Sequence, residues 1–167
     1  NYHKKQRYPI SEKPSPNLPN DQSINLYPSL CFFEGTQVSI GRGTDFPFQV
    51  FGSPWLKNHP FKFTPKPNFG AKDPFLNGKI CNGEDLRNYP EIKEKLDLSF
   101  VINAYKNFDK KSQEFFLKNL WFDTLAGTDE LRKQIISGKS EEEIRNSWKQ
   151  DLQNFEKIRT KYRIYQD

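Results

Sequence analysis

Residues 41–80 read GRGTDFPFQVFGSPWLKNHPFKFTPKPNFGAKDPFLNGKI, and the make-up of this stretch decides the fold class. Glycines stand at 41, 43, 52, 70 and 78 and prolines at 47, 54, 60, 65, 67 and 74. Each proline fixes φ and removes an amide donor, so a long helix is excluded. Phenylalanines at 46, 48, 51, 61, 63, 69 and 75 are interleaved among them, which predicts short strands on long ordered loops with rings as the filling. Phe61-Lys62-Phe63-Thr64-Pro65 alternates apolar and polar residues as a half-buried strand does. For most of these rings burial in an aromatic core outweighs a role in stacking on sugar.

On the C-terminal side the period changes. Leu98, Val101, Ile102 and Tyr105 recur at helical spacing, and a second short amphipathic helix is expected over 111–120. Thr128-Asp129-Glu130 opens a helix that runs through Leu131, Ile135 and Ile136 and closes at Gly138. Ser140-Glu141-Glu142-Glu143 reads as the capping box of the last helix. That helix carries Ile144, Trp148, Leu152, Phe155, Ile158 and Tyr162 on one stripe and is expected to pack through it. On the N-terminal side, residues 23–40 predict a strand or short helical turn, a loop at Glu34-Gly35-Thr36 and a strand around Val38 and Ile40. Residues 1–22, with Pro9, Pro14, Pro16 and Pro19, read as an extended arm or interdomain linker. The fold expected is α+β: a small, mostly antiparallel sheet with long aromatic-rich loops, followed by about four packed helices.

The 167 residues suit one domain, residues 23–167, able to bury a core without disulfide or metal staples. The apolar fraction is only 34% and the mean hydropathy −0.90, yet 15% of residues are aromatic and none is Met, so the chain reads as folded around rings. The net charge of +5 comes from Lys and Arg scattered among 21 acidic residues, without a basic run, and nucleic acid is not an expected partner. No apolar stretch is long enough to span a membrane, and the opening Asn1-Tyr2-His3 has no signal peptide, so the sequence is expected to start within a longer protein or after processing. Cys31 and Cys81 lie in no zinc spacing and are read as one disulfide or two buried thiols; no metal and no cofactor are expected.

The segment with the most chemistry is Leu26-Tyr27-Pro28-Ser29-Leu30-Cys31-Phe32-Phe33-Glu34-Gly35-Thr36-Gln37-Val38-Ser39-Ile40-Gly41-Arg42-Gly43-Thr44. A carboxylate and a guanidinium are each set beside glycine. Arg42 offers a planar fork of donors for a carboxylate or for sugar oxygens, and Glu34 can accept hydroxyl hydrogen bonds or move a proton. On residue chemistry alone, a tight turn in which Arg42 pairs with Glu34 or Asp45 stands at even weight with a binding role.

As a whole the string resembles the C-terminal half of the NamZ-type exo-β-N-acetylmuramidase family, formerly catalogued as a domain of unknown function. The resemblance extends through Pro14 to Pro19, Gly70-Ala71-Lys72, Gly78 to Gly83, Phe122 to Thr128 and the helix from Ile144 to Trp148. It implies a periplasmic or exported enzyme that removes N-acetylmuramic acid from the non-reducing end of peptidoglycan fragments. By the same resemblance, the family's N-terminal Rossmann-like domain, which carries the principal catalytic carboxylate, is expected to lie outside this sequence. By this resemblance the chain is the auxiliary domain walling the cleft, and inactive alone. Glu34, Thr36, Arg42, Gly43 and Thr44 are the candidate substrate contacts, Arg42 for the lactyl carboxylate and Glu34 as a supporting rather than a second catalytic carboxylate. The alternatives are a carbohydrate-binding module without chemistry and a structural or dimerisation domain.

The remaining candidates favour structural readings. Asn82, Glu84 and Asp85 read as a turn. His3 and His59 have no partner in motif spacing, and neither thiol has a base beside it. Asp123 and Asp129 are expected to flank the start of a capped helix after a buried Trp121-Phe122 pair.

Overall fold

The computed structural model describes residues 9–90 and 95–164. His3 therefore lies outside the described residues. The α+β expectation holds: a three-stranded sheet, one helix before it and four after it among the described residues.

The first helix among the described residues is α1 (Asp21–Leu30), where the sequence pattern predicts a strand or a short helical turn. The helix forms because Asn20 and Ser23 make a reciprocal capping box, with Asp21 in the first turn at the positive end of the helix. Pro28 sits inside the helix and masked this signal. A 3-10 turn, Cys31–Gly35, continues directly from α1 and carries Glu34. Before the helix, Asn17 donates from Nδ2 to the Gly70 carbonyl at 2.8 Å and Asn20 from Nδ2 to Gln49 Oε1 at 3.0 Å, so the chain there lies against the domain.

The sheet has β1 (Val50–Ser53), β2 (Phe61–Phe63) and β3 (Cys81–Asp85), in the order β1-β3-β2 with both pairings antiparallel. β3, read from its Asn, Gly, Glu and Asp as a turn, is thus the central strand; pairing on both edges overrides turn propensity. The strand expected at Val38 and Ile40 is reduced to one bridge, Ser39 to Gly52, with both hydrogen bonds at 2.8 Å.

Then come α2 (Ser99–Asn107), α3 (Trp121–Ala126), α4 (Glu130–Ile136) and α5 (Glu141–Arg159). The helix expected over 111–120 does not form. Its adjacent rings put the backbone to other use: Gln37 donates to the Phe115 carbonyl at 2.8 Å and Leu117 to that of Gly35 at 3.0 Å, so the segment runs extended beside residues 35–37. Trp121 is exposed rather than buried, and Phe122 alone of that pair enters the core.

α5 starts as its sequence dictates, with Ser140 Oγ accepting from the Glu143 amide and Glu143 accepting from the Ser140 amide. Ser140→Ala removes one half of this box and is expected to lower stability by about 1 kcal/mol, measurable as a shift in urea midpoint with unchanged slope. The stripe beyond it departs from expectation: Ile144 is buried and Trp148 partly so, whereas Leu152, Phe155 and Ile158 lie in solvent.

The core is aromatic, as its composition requires. Phe33 stacks on Phe51 at 4.8 Å, Phe51 meets Phe100, and Phe116 meets Phe122 at 4.8 Å. A smaller cluster, Val50, Phe63, Leu76 and Cys81, forms a second packing unit, and Trp55 packs against both clusters.

Candidate functional site

The charged pair at the centre of the sequence argument is assembled by three local devices. The 3-10 turn after α1 presents Glu34, and α3 lies against this turn, holding it in place. Gly41 and Gly43 both have positive φ, 78° and 80°, so the chain turns twice around Arg42 in conformations that favour glycine. A Cβ at Gly43 would also stand 2.6 Å from the Lys66 carbonyl oxygen, and Lys66 donates its amide to the Gly43 carbonyl at 2.9 Å. The turn is thereby locked to the neighbouring loop.

Arg42 donates from one terminal guanidinium nitrogen to Glu34 Oε1 at 2.7 Å, with side-chain exposures of 38% and 23%. Its guanidinium carbon sits 5.2 Å from the centre of the Phe48 ring, and Tyr27 of α1 meets Phe48 at 4.9 Å. Phe48 is buried with φ of 56°, a strained conformation for a bulky residue that the surrounding packing must hold. The pair is partly exposed, and the remaining guanidinium nitrogens of Arg42 have no protein acceptor among the described residues.

The other predicted contacts do different work. Thr36 is 1% exposed, and its hydroxyl donates to the Phe33 carbonyl and accepts from the Val38 amide. Thr44 donates to the Gly41 carbonyl at 2.6 Å and accepts from the Phe46 amide, closing the turn around Arg42. Thr36, Gly43 and Thr44 shape the loop, while Glu34 and Arg42 face outward.

Sequence reading missed Tyr27 and Phe48 as neighbours of this pair, because Tyr27 lies on the unrecognised α1 and Phe48 meets it only after folding. It also missed Arg87, which stacks at 4.4 Å on Phe46 and binds Asp85 through two nitrogens, holding that carboxyl below its usual range. His59 gains a partner no spacing announced: its Nδ1 lies 3.4 Å from Glu84 Oε1. Burial raises the Glu84 carboxyl, and the neighbouring His59 opposes the rise.

Asp123 accepts from two guanidinium nitrogens of Arg132, Nε and a terminal one, at 2.8 and 2.7 Å, tying α3 to α4, and Asp129 pairs with Lys133. Both are structural. Cys31 and Cys81 are free thiols, and burial pushes them up to about 11 and about 12, so neither is a thiolate at neutral pH. Among the described residues no group of three or more metal-binding side chains converges, and no helix is long and apolar enough to cross a membrane.

Among the described residues, a small antiparallel sheet, five helices and a partly exposed guanidinium–carboxylate pair on a glycine-framed loop define an α+β domain. The chain belongs to the family described as exo-β-N-acetylmuramidase NamZ, C-terminal, which it matches over residues 25–165. It is 36% identical over 166 residues to the peptidoglycan β-N-acetylmuramidase NamZ of Bacillus subtilis (strain 168), covering 91% of this chain and 40% of that protein. Its fold matches the crystal structure of a DUF1343 family protein from Bacteroides fragilis NCTC 9343 with a TM-score of 0.90 and 44% identity, covering all of this chain and 47% of that one. A second DUF1343 protein of the same organism shares the fold, with a TM-score of 0.67 and 18% identity over 91% of this chain and 44% of that one. The chain thus spans less than half the length of the relatives it matches.

Proposed function

We propose that this chain is the auxiliary, cleft-forming domain of an exo-β-N-acetylmuramidase that removes N-acetylmuramic acid from the non-reducing end of peptidoglycan fragments. The catalytic carboxylate then belongs to an N-terminal Rossmann-like domain of the longer protein, and the isolated chain turns nothing over. The place of action is periplasmic or exported, where such fragments occur.

The observation that carries this reading is the Arg42–Glu34 pair. Arg42 is held between two positive-φ glycines, engaged through one nitrogen and half exposed. Muramic acid differs from glucosamine by a lactyl ether ending in a carboxylate, and a guanidinium fork suits that anion. Glu34 accepts from the other side of the fork and orients it. Tyr27, with its ring on Phe48, adds an exposed aromatic surface beside the pair.

The test is discrimination. In the protein carrying this domain together with its N-terminal domain, Arg42→Ala is expected to raise KM for a chromogenic N-acetylmuramic acid glycoside roughly 10- to 100-fold. Any preference over the N-acetylglucosamine analogue, which lacks the carboxylate, should fall in step. Melting should shift by only a few degrees, because a partly exposed pair contributes about 1 kcal/mol or less. Arg42→Lys keeps the charge and loses the fork, so it should recover only part of the binding. A large drop in melting temperature with KM unchanged would show that the pair only holds the loop.

A further inference from the structure

Leu152, Phe155 and Ile158 on α5 are 59%, 60% and 56% exposed, and Tyr162, in the 3-10 turn Thr160–Tyr162 that follows, is 78% exposed. The first turns of the same helix are fixed to the domain: Ile144 is fully buried, and Arg145 binds both Glu141 and the Leu96 carbonyl. The rest of the helix therefore extends from a fixed base with an apolar side that no described residue covers.

We propose that this side pairs with the same side of a second copy, antiparallel, about a two-fold axis passing beside Phe155. A two-fold contact is self-complementary: a residue a given number of steps before the axis lies level with the residue the same number of steps after it on the partner. Counted from Phe155, the apolar residues fall at seven and three steps before, Trp148 and Leu152, and at three and seven steps after, Ile158 and Tyr162. The stripe reads the same in both directions. Phe155 meets its own copy, Leu152 lies level with Ile158, and Trp148 with Tyr162.

Charge selects the antiparallel arrangement. Asp151 stands four steps before Phe155 and Arg159 four steps after it, about 40° to either side of the Phe155 direction at about 100° per residue. Antiparallel pairing brings opposite charges level at both ends, whereas parallel pairing sets Asp151 on Asp151 and Arg159 on Arg159. Lys149 and Lys161 also come level, but six steps turn them about 120° away onto the outer flanks. Among the described residues Arg159 is bound through its surface contact to Glu156 at 3.0 Å, a weak tie that leaves it available to the partner.

A contact of one helix of this length per copy buries on the order of 1,000 Å² in total, at the lower end of specific interfaces. The dimer should thus depend on concentration.

Sedimentation velocity of the chain over a roughly hundred-fold concentration range should show monomer passing to dimer. Phe155→Glu should hold it monomeric with circular dichroism unchanged and, at concentrations where the parent is monomeric, with the same melting temperature, since the ring contributes little to the monomer core. In a Cys31→Ser background, Phe155→Cys should form an intermolecular disulfide roughly ten-fold faster or more than Gln153→Cys, because only a residue on the axis meets itself. Asp151→Arg or Arg159→Asp alone should weaken the dimer, and the double exchange should restore it. A monomer at every concentration, with Phe155→Cys no faster than Gln153→Cys, overturns the proposal. So does protection of the stripe from hydrogen exchange or labelling that appears only when the N-terminal domain is joined, which would assign the face to that domain.

Discussion

Gly83→Ala is expected to destabilise the fold by about 4 kcal/mol or more. Gly83 sits at the middle of β3, opposite Gly52 of β1 and Phe61 of β2. A methyl group on its Cα would lie 1.7 Å from the Phe51 carbonyl oxygen and 2.6 Å from the Gly52 Cα. Both are backbone atoms, so no rotamer change relieves the overlap, and β1 must part from β3. Phe51, which stacks on Phe33 and meets Phe100, would be carried with it. The expected loss is about 4 kcal/mol or more, with a fall in Tm on the order of 10 °C or more, set against a typical total stability of about 5–15 kcal/mol. Lys62→Ala, which trims an exposed side chain on the neighbouring strand, should stay within about 0.5 kcal/mol. Thermal melts followed by circular dichroism decide the matter: a Gly83→Ala protein that melts within a few degrees of the parent would mean that the two strands can move apart at little cost.

Phe122→Ala is the second large effect. The ring is buried between Phe32 at 5.6 Å and Phe116 at 4.8 Å, and it belongs to the helix that rests on the turn bearing Glu34. Truncation leaves a cavity among rings that cannot collapse easily, which costs about 3–5 kcal/mol. The loss should be local as well as global: amide exchange across residues 31–36 is expected to speed up more than exchange in β3. Trp121→Ala, one residue away and exposed, should cost less than about 1 kcal/mol. Equal effects of the two substitutions would show that α3 does not support the turn.

What the sequence made legible follows physical lines. The Gly, Pro and Phe pattern of residues 41–80 announced loops, short strands and an aromatic core, and the caps at Ser140 and Gly138 announced helix boundaries, because caps are local chemistry. α1 was hidden by Pro28, although the Asn20–Ser23 box that starts it was present to be read. β3 was hidden because Asn, Gly and Asp carry turn propensity and only the two neighbouring strands override it. Phe115 and Phe116 mimicked a helical face, but their backbone pairs with residues 35–37, a partner far away in sequence. For the site, the Glu34 and Arg42 loop was legible from its glycines, and its family resemblance matches the family to which the chain belongs. The Tyr27 and Phe48 rings beside it, and the His59–Glu84 contact, depend on chain segments that meet only after folding.

Trp55 gives the molecule an internal optical reporter. It packs against both apolar clusters, and Lys79 stands 5.5 Å from its ring centre. Of the other two indoles, Trp121 is exposed, and Trp148, like Trp55, is partly buried against the larger cluster. The emission change of a Trp148→Phe protein on denaturation therefore comes chiefly from the ring joining the two clusters, and its coincidence with the circular dichroism transition would mark them as a single cooperative unit.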